Sequence, residues 1–362
     1  MTWSSPITVE RSAAPVAAAR REKILEEPGF GVYFTDHMFV ASWTPDARWH
    51  ASKIKPYGPF SIDPATSVLH YAQEIFEGMK AYRHADGSVW LFRPDLNAAR
   101  FVRSATRLAL PPLPESDFIA AVEALVRADL DWVPGGAEKS LYLRPFMFAS
   151  EVFLGVRAAN EVTFAVIASP AGAYFGGGVK PVTIWLSEDL TRAAPGGTGA
   201  AKCGGNYAAS LFAQQEASAH QCDQVVFLDA ARHEMIEELG GMNLFLVYAD
   251  GSIVTPELND SILAGVTRAS ILELADHMGH KVDERPIGVQ EWREGVRSGE
   301  ISEVFACGTA AVVTPVAALR WRDGEAHSPL PAGEVTLGLR ARLLDIQYGR
   351  VEDSHGWMHQ VS

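Results

Sequence analysis

The segment from Pro170 to Pro181 constrains this chain more than any other. It reads Pro170-Ala171-Gly172-Ala173-Tyr174-Phe175-Gly176-Gly177-Gly178-Val179-Lys180-Pro181, two prolines around four glycines. Proline removes a backbone donor and glycine raises the entropic cost of regular structure, so this stretch suits neither a helix nor a central strand. Strand-like apolar runs lie on either side, Val162–Ala168 before it and Val182–Leu186 after it. At 362 residues the chain is long enough for two apolar cores. The expected organisation is a smaller N-terminal α/β domain over 1–169, an interdomain loop over 170–181 and a larger C-terminal domain over 182–362. Residues 1–21, rich in Ala, Ser and Pro, read as a disordered tail; Glu10 and Pro15 argue against a basic targeting helix there.

Hydrophobic period supplies the elements. Val89–Phe92 reads as a strand, followed by a helix with Asp95 as its N-cap. Phe118–Val133 carries apolar residues at helical spacing and is closed by Pro134-Gly135-Gly136. Ser140–Phe148 and Val162–Ala168 read as strands, the second apolar throughout and therefore central. Beyond the loop, Val182–Leu186, Gln224–Leu228, Met242–Tyr248 and Val304–Ala306 suit strands, with helices at Tyr207–His220 and Val266–Met278. The class is mixed α and β.

A net charge of −13 argues against nucleic acid or an anionic membrane as a partner. No apolar run reaches the roughly 20 residues of a membrane helix. Three cysteines without a CxxC spacing fit reduced thiols in a cytoplasm rather than a disulfide framework or a zinc site. Two superficial metal patterns, His233-Glu234-Met235-Ile236-Glu237 and the His277/His280 pair, each lack ligands, so no metal is expected. An acidic chain that handles a small anion must concentrate its cations locally.

Lys202-Cys203-Gly204-Gly205-Asn206-Tyr207 has that quality. Glycines admit a bulky planar group close to the backbone, and the lysine amine can reach an aldehyde carbon. The flanking residues, Ala201 and Cys203, exclude a Walker phosphate loop. Alone, the motif is equally compatible with a surface lysine in a glycine-rich loop. Further on, Glu237-Glu238-Leu239-Gly240-Gly241-Met242-Asn243 sets carboxylates beside paired glycines, suited to a flat ring whose nitrogen a carboxylate keeps protonated, or simply to a turn. Leu263-Ala264-Gly265-Val266-Thr267-Arg268 opens a helix whose free amides favour an anion. Ala306-Cys307-Gly308-Thr309-Ala310 offers amides and a hydroxyl, and Arg100 a guanidinium, though a lone helical arginine is usually a solvated charge.

Together with Gln73-Glu74-Ile75-Phe76-Glu77-Gly78-Met79-Lys80-Ala81-Tyr82 and Tyr142-Leu143-Arg144-Pro145, these motifs follow one order along the chain. In that order the sequence resembles the branched-chain amino-acid aminotransferases of the fold-type IV pyridoxal-phosphate enzymes, from about Phe30 to Trp357. The resemblance implies a two-domain α/β fold with pyridoxal 5'-phosphate at the domain interface. It also implies transfer of the amino group of leucine, isoleucine or valine to 2-oxoglutarate. Lys202 would be the Schiff-base and proton-shuttling lysine, with Glu238 at the ring nitrogen and Tyr207 at the phenolic oxygen. Arg100, Gly265, Val266, Thr267 and Thr309 would hold the phosphate. Tyr71, Tyr142, Arg144, Thr309 and Ala310 would meet substrate carboxylates, and Phe30, Phe76, Tyr174 and Tyr207 would wall the side-chain pocket. Leu154 and Val156 would join that wall from the second subunit of a homodimer. Aminodeoxychorismate lyase and D-amino-acid aminotransferase share the implied fold and are the alternatives. Ala311 and Thr314 stand where some relatives carry a redox CxxC, and Gly241 where some carry threonine. Cys307 reads as a small buried residue near the phosphate turn.

Overall fold

A computed structural model describes residues 3, 6–136, 138–172 and 179–362. It divides into two compact units: Met1–Tyr174 with Ala201–Gly204 and Asp345–Ser362, and Phe175–Ala200 with Gly205–Leu344. The division does not follow a single cut. The short lysine segment and the last eighteen residues both belong to the first unit.

In the first unit, β1 (Thr8–Val9), β2 (His37–Thr44), β3 (Arg48–Pro56), β4 (Glu74–Phe76), β5 (Met79–Arg83), β6 (Val89–Phe92), β7 (Ser140–Ala149) and β8 (Val162–Ala171) join a last strand, Met358–Gln360. Among the described residues they form one sheet in the order β1-β3-β2-β8-β7-β5-β6-Met358–Gln360, with β4 paired to β7. As its largely apolar run predicts, β8 is interior, between β2 and β7. Helices α1 (Ala18–Glu26), α2 (Val68–Tyr71), α3 (Pro94–Arg107) and α4 (Glu115–Ala128) accompany the sheet. Phe101 of α3 and Phe118 of α4 lie 5.1 Å apart, and Phe101 lies 5.5 Å from Phe164 of β8, at the centre of this core.

The structure departs from three expectations. The N-terminal stretch is not a tail: Thr8 and Val9 pair with β3, Glu10 donates to the Ile54 carbonyl, and α1 begins at Ala18. Hydrogen bonds to β3 offset the ordering entropy that composition alone could not. Asp95 is not the cap of α3; Arg93 occupies that place in the left-handed region, with Pro94 opening the helix and Asp95 in its first turn. The predicted Phe118–Val133 helix starts earlier and stops at Ala128, followed by a 3₁₀ turn over Leu130–Trp132.

The second unit holds β9 (Val182–Ser187), β10 (Gln224–Phe227), β11 (Asn243–Tyr248), β12 (Ile253–Thr255), β13 (Val282–Glu284), β14 (Ile301–Gly308), β15 (Val312–Trp321) and β16 (Gly324–His327). Their order among the described residues is β10-β9-β15-β14-β11-β12-β13, with β16 on β15. The sheet is parallel at its β10-β9-β15 end and antiparallel through β14, β11 and β12. Helices α5 (Gly204–Ala219), α6 (Val266–His277), α7 (Val289–Ser298) and α8 (Glu334–Gln347) complete the chain's elements. The stacked rings of Phe245 and Phe305, 4.9 Å apart across β11 and β14, are fully buried.

Candidate active site

Lys202 lies two residues before α5, outside any helix or strand, so its backbone polar groups need partners elsewhere. They have them. The Lys202 amide donates to Ser104 Oγ at 2.9 Å, and its carbonyl accepts from the Phe76 amide at 3.0 Å. The Gly204 amide donates to Glu74 Oε1 in a short hydrogen bond. β4 is therefore the platform of the lysine segment. The half-buried ammonium reaches over the Phe76 ring, 5.0 Å from its centroid.

Strand alternation on β7 decides what else faces this point. Leu141, Leu143 and Met147 are buried in the core, while Tyr142, Arg144 and Phe146 take the opposite face. The Arg144 guanidinium lies 4.7 Å over the Phe76 ring and 5.4 Å over the Tyr142 ring, and its Nη2 donates to the Tyr142 hydroxyl at 2.9 Å. Its Nε is buried with no hydrogen-bond partner among the described residues. Phe30 meets Tyr142 edge-on at 5.1 Å. Gly78 permits this packing, because a Cβ there would collide with the Tyr142 hydroxyl. Burial raises the Glu74 carboxyl above its usual value, opposed by the Gly204 amide and by Arg144.

Arg100 is not a solvated helical charge. It is 4% exposed and pairs side-on with the fully buried Glu77, Nε to Oε1 at 2.7 Å and Nη2 to Oε2 at 2.8 Å. Burial pushes Glu77 up, but Arg100, with help from Lys202 and Asn97, outweighs it and holds the carboxyl below the ordinary range.

Within the second unit, the paired acids at 237–238 are both buried. Glu238 forms a short ion pair with Arg192 Nη2, and its Oε1 accepts from the Leu263 amide at 3.1 Å. The same Arg192 nitrogen reaches the carbonyls of Gly199, at 3.0 Å, and Ser261, at 2.6 Å. Asn243 donates to the Leu263 carbonyl at 3.0 Å, and its Oδ1 sits where a Cβ on Gly265 would be. Two motifs separated along the chain are thus bolted together at the start of α6. No side chain caps that helix at Gly265, and no acid lies in its first turn, where Val266 and Thr267 are buried. Tyr207 packs against Gly241, where an added Cβ would stand 3.4 Å from the ring. Thr309 and Ala310 form the turn between β14 and β15. Cys307 is 1% exposed, and burial pushes its thiol up to about 12, so it is an inert packing residue. The stretch His233–Glu237 is not helical. It winds around Asp229, which accepts from the amides of Ala231, Arg232, Glu234 and Met235, so its residues do not share a helix face.

The first unit thus gathers Lys202, Phe76, Arg144, Tyr142, Phe30 and Arg100. Tyr71 is elsewhere in contact, its hydroxyl donating to the Leu154 carbonyl in a short bond. Leu154 is 59% and Val156 86% exposed. Tyr174 lies outside the described residues. Glu77, Glu74 and Arg192 escaped the reading of the sequence as site residues. The first two stand inside a motif that drew notice as a whole; Arg192 lies in a turn-rich stretch with no pattern to mark it.

This chemistry fits pyridoxal phosphate. A lysine amine is held over an aromatic ring, a buried carboxylate is fixed by a backbone amide, and an uncapped helix start can receive an anion. The model of the amino-transferase class IV family matches residues 74–319 of this chain. It is 56% identical, over 98% of its length and 99% of the relative's, to a probable branched-chain-amino-acid aminotransferase of Streptomyces coelicolor. It is 54% identical, over 98% of each chain, to the branched-chain-amino-acid aminotransferase of Mycolicibacterium smegmatis. Among solved structures it resembles the Escherichia coli branched-chain amino acid aminotransferase with TM-score 0.73 and 28% identity, covering 90% of this chain and 99% of that one. It also resembles the branched-chain aminotransferase of Thermoproteus uzoniensis solved with norvaline, with TM-score 0.74 and 26% identity, over 90% of this chain and 100% of that one. The chain belongs to the class IV aminotransferases, in the branch of the branched-chain-amino-acid aminotransferases.

Proposed function

We propose that this protein transfers the amino group of L-leucine, L-isoleucine or L-valine to 2-oxoglutarate, with pyridoxal 5'-phosphate as its cofactor. The observation that carries the reading is the Lys202 ammonium held over Phe76, with the Arg144 guanidinium on the same ring. When bound, pyridoxal phosphate supplies an aldehyde and a ring that accepts an electron pair. Lys202 would be the residue that holds the cofactor at its aldehyde, and its amine would move the proton at the substrate α-carbon. Its backbone bonds to Ser104 and Phe76 fix where that amine can reach. Glu238, paired with Arg192, would hold the proton at the ring nitrogen. Tyr207 serves the phenolic oxygen. Arg100, the start of α6 at Gly265, Val266 and Thr267, and Thr309 hold the phosphate.

For substrate, Phe30, Phe76, Tyr142 and Tyr207 supply apolar wall. Arg144, Tyr71, Tyr142 and the Thr309-Ala310 turn supply donors for carboxylates. The exposed apolar residues Val152, Leu154 and Val156, 57%, 59% and 86% exposed, support a homodimer in which Leu154 and Val156 reach a neighbour's pocket. An acidic chain with buried free cysteines and, among its described residues, no helix able to cross a membrane supports action in the cytoplasm.

The test is direct. Purified chain loaded with pyridoxal phosphate is mixed with L-leucine, and its absorbance spectrum and the 2-oxo acid released are followed. The reading expects the cofactor band to shift and 4-methyl-2-oxopentanoate to appear, with 2-oxoglutarate restoring the original spectrum. Reaction with D-leucine instead, or pyruvate from aminodeoxychorismate, would replace it with one of the two alternatives of the same fold.

A further inference from the structure

Gly204 is the first residue of α5, so its amide is a helix donor with no acceptor inside the helix. The common remedy is a polar side chain just before the helix, but Cys203 stands there, 3% exposed and packed into the apolar core. The acceptor comes instead from β4, 130 positions earlier in the chain, where Glu74 Oε1 receives the Gly204 amide. Only a glycine leaves room for that approach, because a Cβ on residue 204 would collide with the same oxygen.

The bond completes a pattern. The Phe76 amide donates to the Lys202 carbonyl at 3.0 Å. In an antiparallel pair centred on Ile75 and Cys203, the matching bond would run from the Gly204 amide to the Glu74 carbonyl. The chain turns into α5 at that point, and the longer carboxylate takes the amide in the carbonyl's place. The Lys202–Gly204 segment is therefore held on β4 at both ends, by residues 74 and 76, and the ring under the Lys202 ammonium belongs to the same strand. A local cap would satisfy the Gly204 amide equally well, but it would leave this end of the lysine segment untied.

We infer that Glu74 is a positioning residue for the Lys202 amine, fixing the Lys202–Gly204 backbone on β4 by accepting from the Gly204 amide, an inference that rests on the function proposed above. Glu74 acts here as an acceptor, not as a charge. A side chain of the same length that can still accept keeps the role, and a shorter or absent one loses it. Aim and fold separate in the same way. A group that merely held the fold together would weaken every property of the site. One that aims the amine changes its reaction with an aldehyde and leaves the fit of the ring and phosphate alone.

The experiment compares pyridoxal phosphate with pyridoxine phosphate, which carries an alcohol in place of the aldehyde, on the full-length chain. The rate of forming the borohydride-reducible link is followed by mass spectrometry at saturating pyridoxal phosphate. The affinity for pyridoxine phosphate is read by the quenching of intrinsic fluorescence. Glu74→Ala is expected to slow the link roughly ten- to a hundredfold, the scale of a misplacement of about 1 Å, with pyridoxine phosphate affinity unchanged. Glu74→Gln is expected to stay within about threefold of the parent rate, because its carbonyl oxygen can still accept. Gly204→Ala is expected to slow the link in the parent but to add little in the Glu74→Ala background, where the collision no longer exists. Should Glu74→Ala fail to fold, as judged by circular dichroism, Glu74→Asp, one methylene shorter, carries the same expectation. An unchanged rate in the shortened variants overturns the inference. So does an equal loss of rate and pyridoxine phosphate affinity, which marks a structural role, and so does a Gln variant as slow as the Ala one, which marks a role for the charge. Lys202→Ala separates this from the underlying reading. If that variant still forms the link, the assignment of Lys202 fails; if it does not, while Glu74→Ala links at the parent rate, only the role of Glu74 falls.

Discussion

Glu237 offers a sharp test of the electrostatics around the paired acids. Its side chain is 4% exposed, and its Oε2 has no hydrogen-bond partner among the described residues. Burial lifts its carboxyl from 4.5 to about 7; the Ser261 hydroxyl and Arg192 pull it down, and the neighbouring charges of Glu238 and Asp229 push it further up. Between pH 4.5 and 7 the folded chain therefore binds a proton that the unfolded chain has released. Stability from this group is fully present below pH 4.5 and is lost as pH rises through 7. At about 1.36 kcal/mol per unit, the window is worth at most about 3 kcal/mol. Glu237→Gln carries no such proton and escapes that loss. Urea melts of both proteins at about pH 5 and pH 8 isolate the effect, because every other titrating group is shared. The variant should gain up to about 3 kcal/mol relative to the parent between those two values. A difference that stays flat with pH, or that favours the parent at the higher pH, means that Glu237 is ionised in the folded chain and that Arg192 is shared between two carboxylates.

Lys202→Ala should abolish the borohydride-reducible link to pyridoxal phosphate and lower turnover by several orders of magnitude, because a covalent and a proton-transfer role go together; a link that survives, seen by mass spectrometry, places the reactive amine elsewhere. Arg144→Ala should cost the 2-oxoglutarate half-reaction about ten- to a hundredfold, and the leucine half-reaction much less. Single-turnover rates with each substrate check this, and equal losses mean that Arg144 meets the shared α-carboxylate or maintains the fold. Leu154→Asp should weaken leucine turnover and self-association while leaving cofactor binding intact. Sedimentation at assay concentration decides it: a fully active monomer removes Leu154 and Val156 from the pocket.

Much of the fold was legible because its signals are local. Apolar runs placed β8 and β9, and helical spacing with a glycine opening placed α6. Where the reading missed, the deciding contacts were distant in sequence. The first residues order only because β3, some forty-five positions on, accepts a short parallel strand. The site divides in the same way. Lys202 could be proposed from its glycine neighbours, and Arg144, Tyr142 and Phe76 from motifs whose order resembles a known family. Arg192 could not, because its meaning lies in Glu238, Gly199 and Ser261, none of which spacing connects to it. Glu77 could be seen but not understood until α3 brought Asn97 and Arg100 to it.

One pocket serving both leucine and 2-oxoglutarate must accept an apolar side chain in one half-reaction and a carboxylate in the other. Burying a free cation to receive the carboxylate would spoil the site for leucine, because an unpaired charge in an apolar wall is costly. On the proposed function, the arrangement on β7 would resolve this conflict. The guanidinium of Arg144 lies over the rings of Phe76 and Tyr142 rather than projecting alone. Its planar face is weakly hydrated and stabilised by the rings, so the cation can stay when no anion is present. Its hydrogen-bonding edge stays tied to the Tyr142 hydroxyl at Nη2, with the Nε of Arg144 still lacking a partner among the described residues. A leucine side chain would meet ring surface, and a distal carboxylate the guanidinium edge. Gly78 is what lets Tyr142 come close enough to take part in this stack, since any side chain there would displace its hydroxyl. On the proposed function, dual specificity rests on stacking a cation into an aromatic wall rather than on moving one in and out.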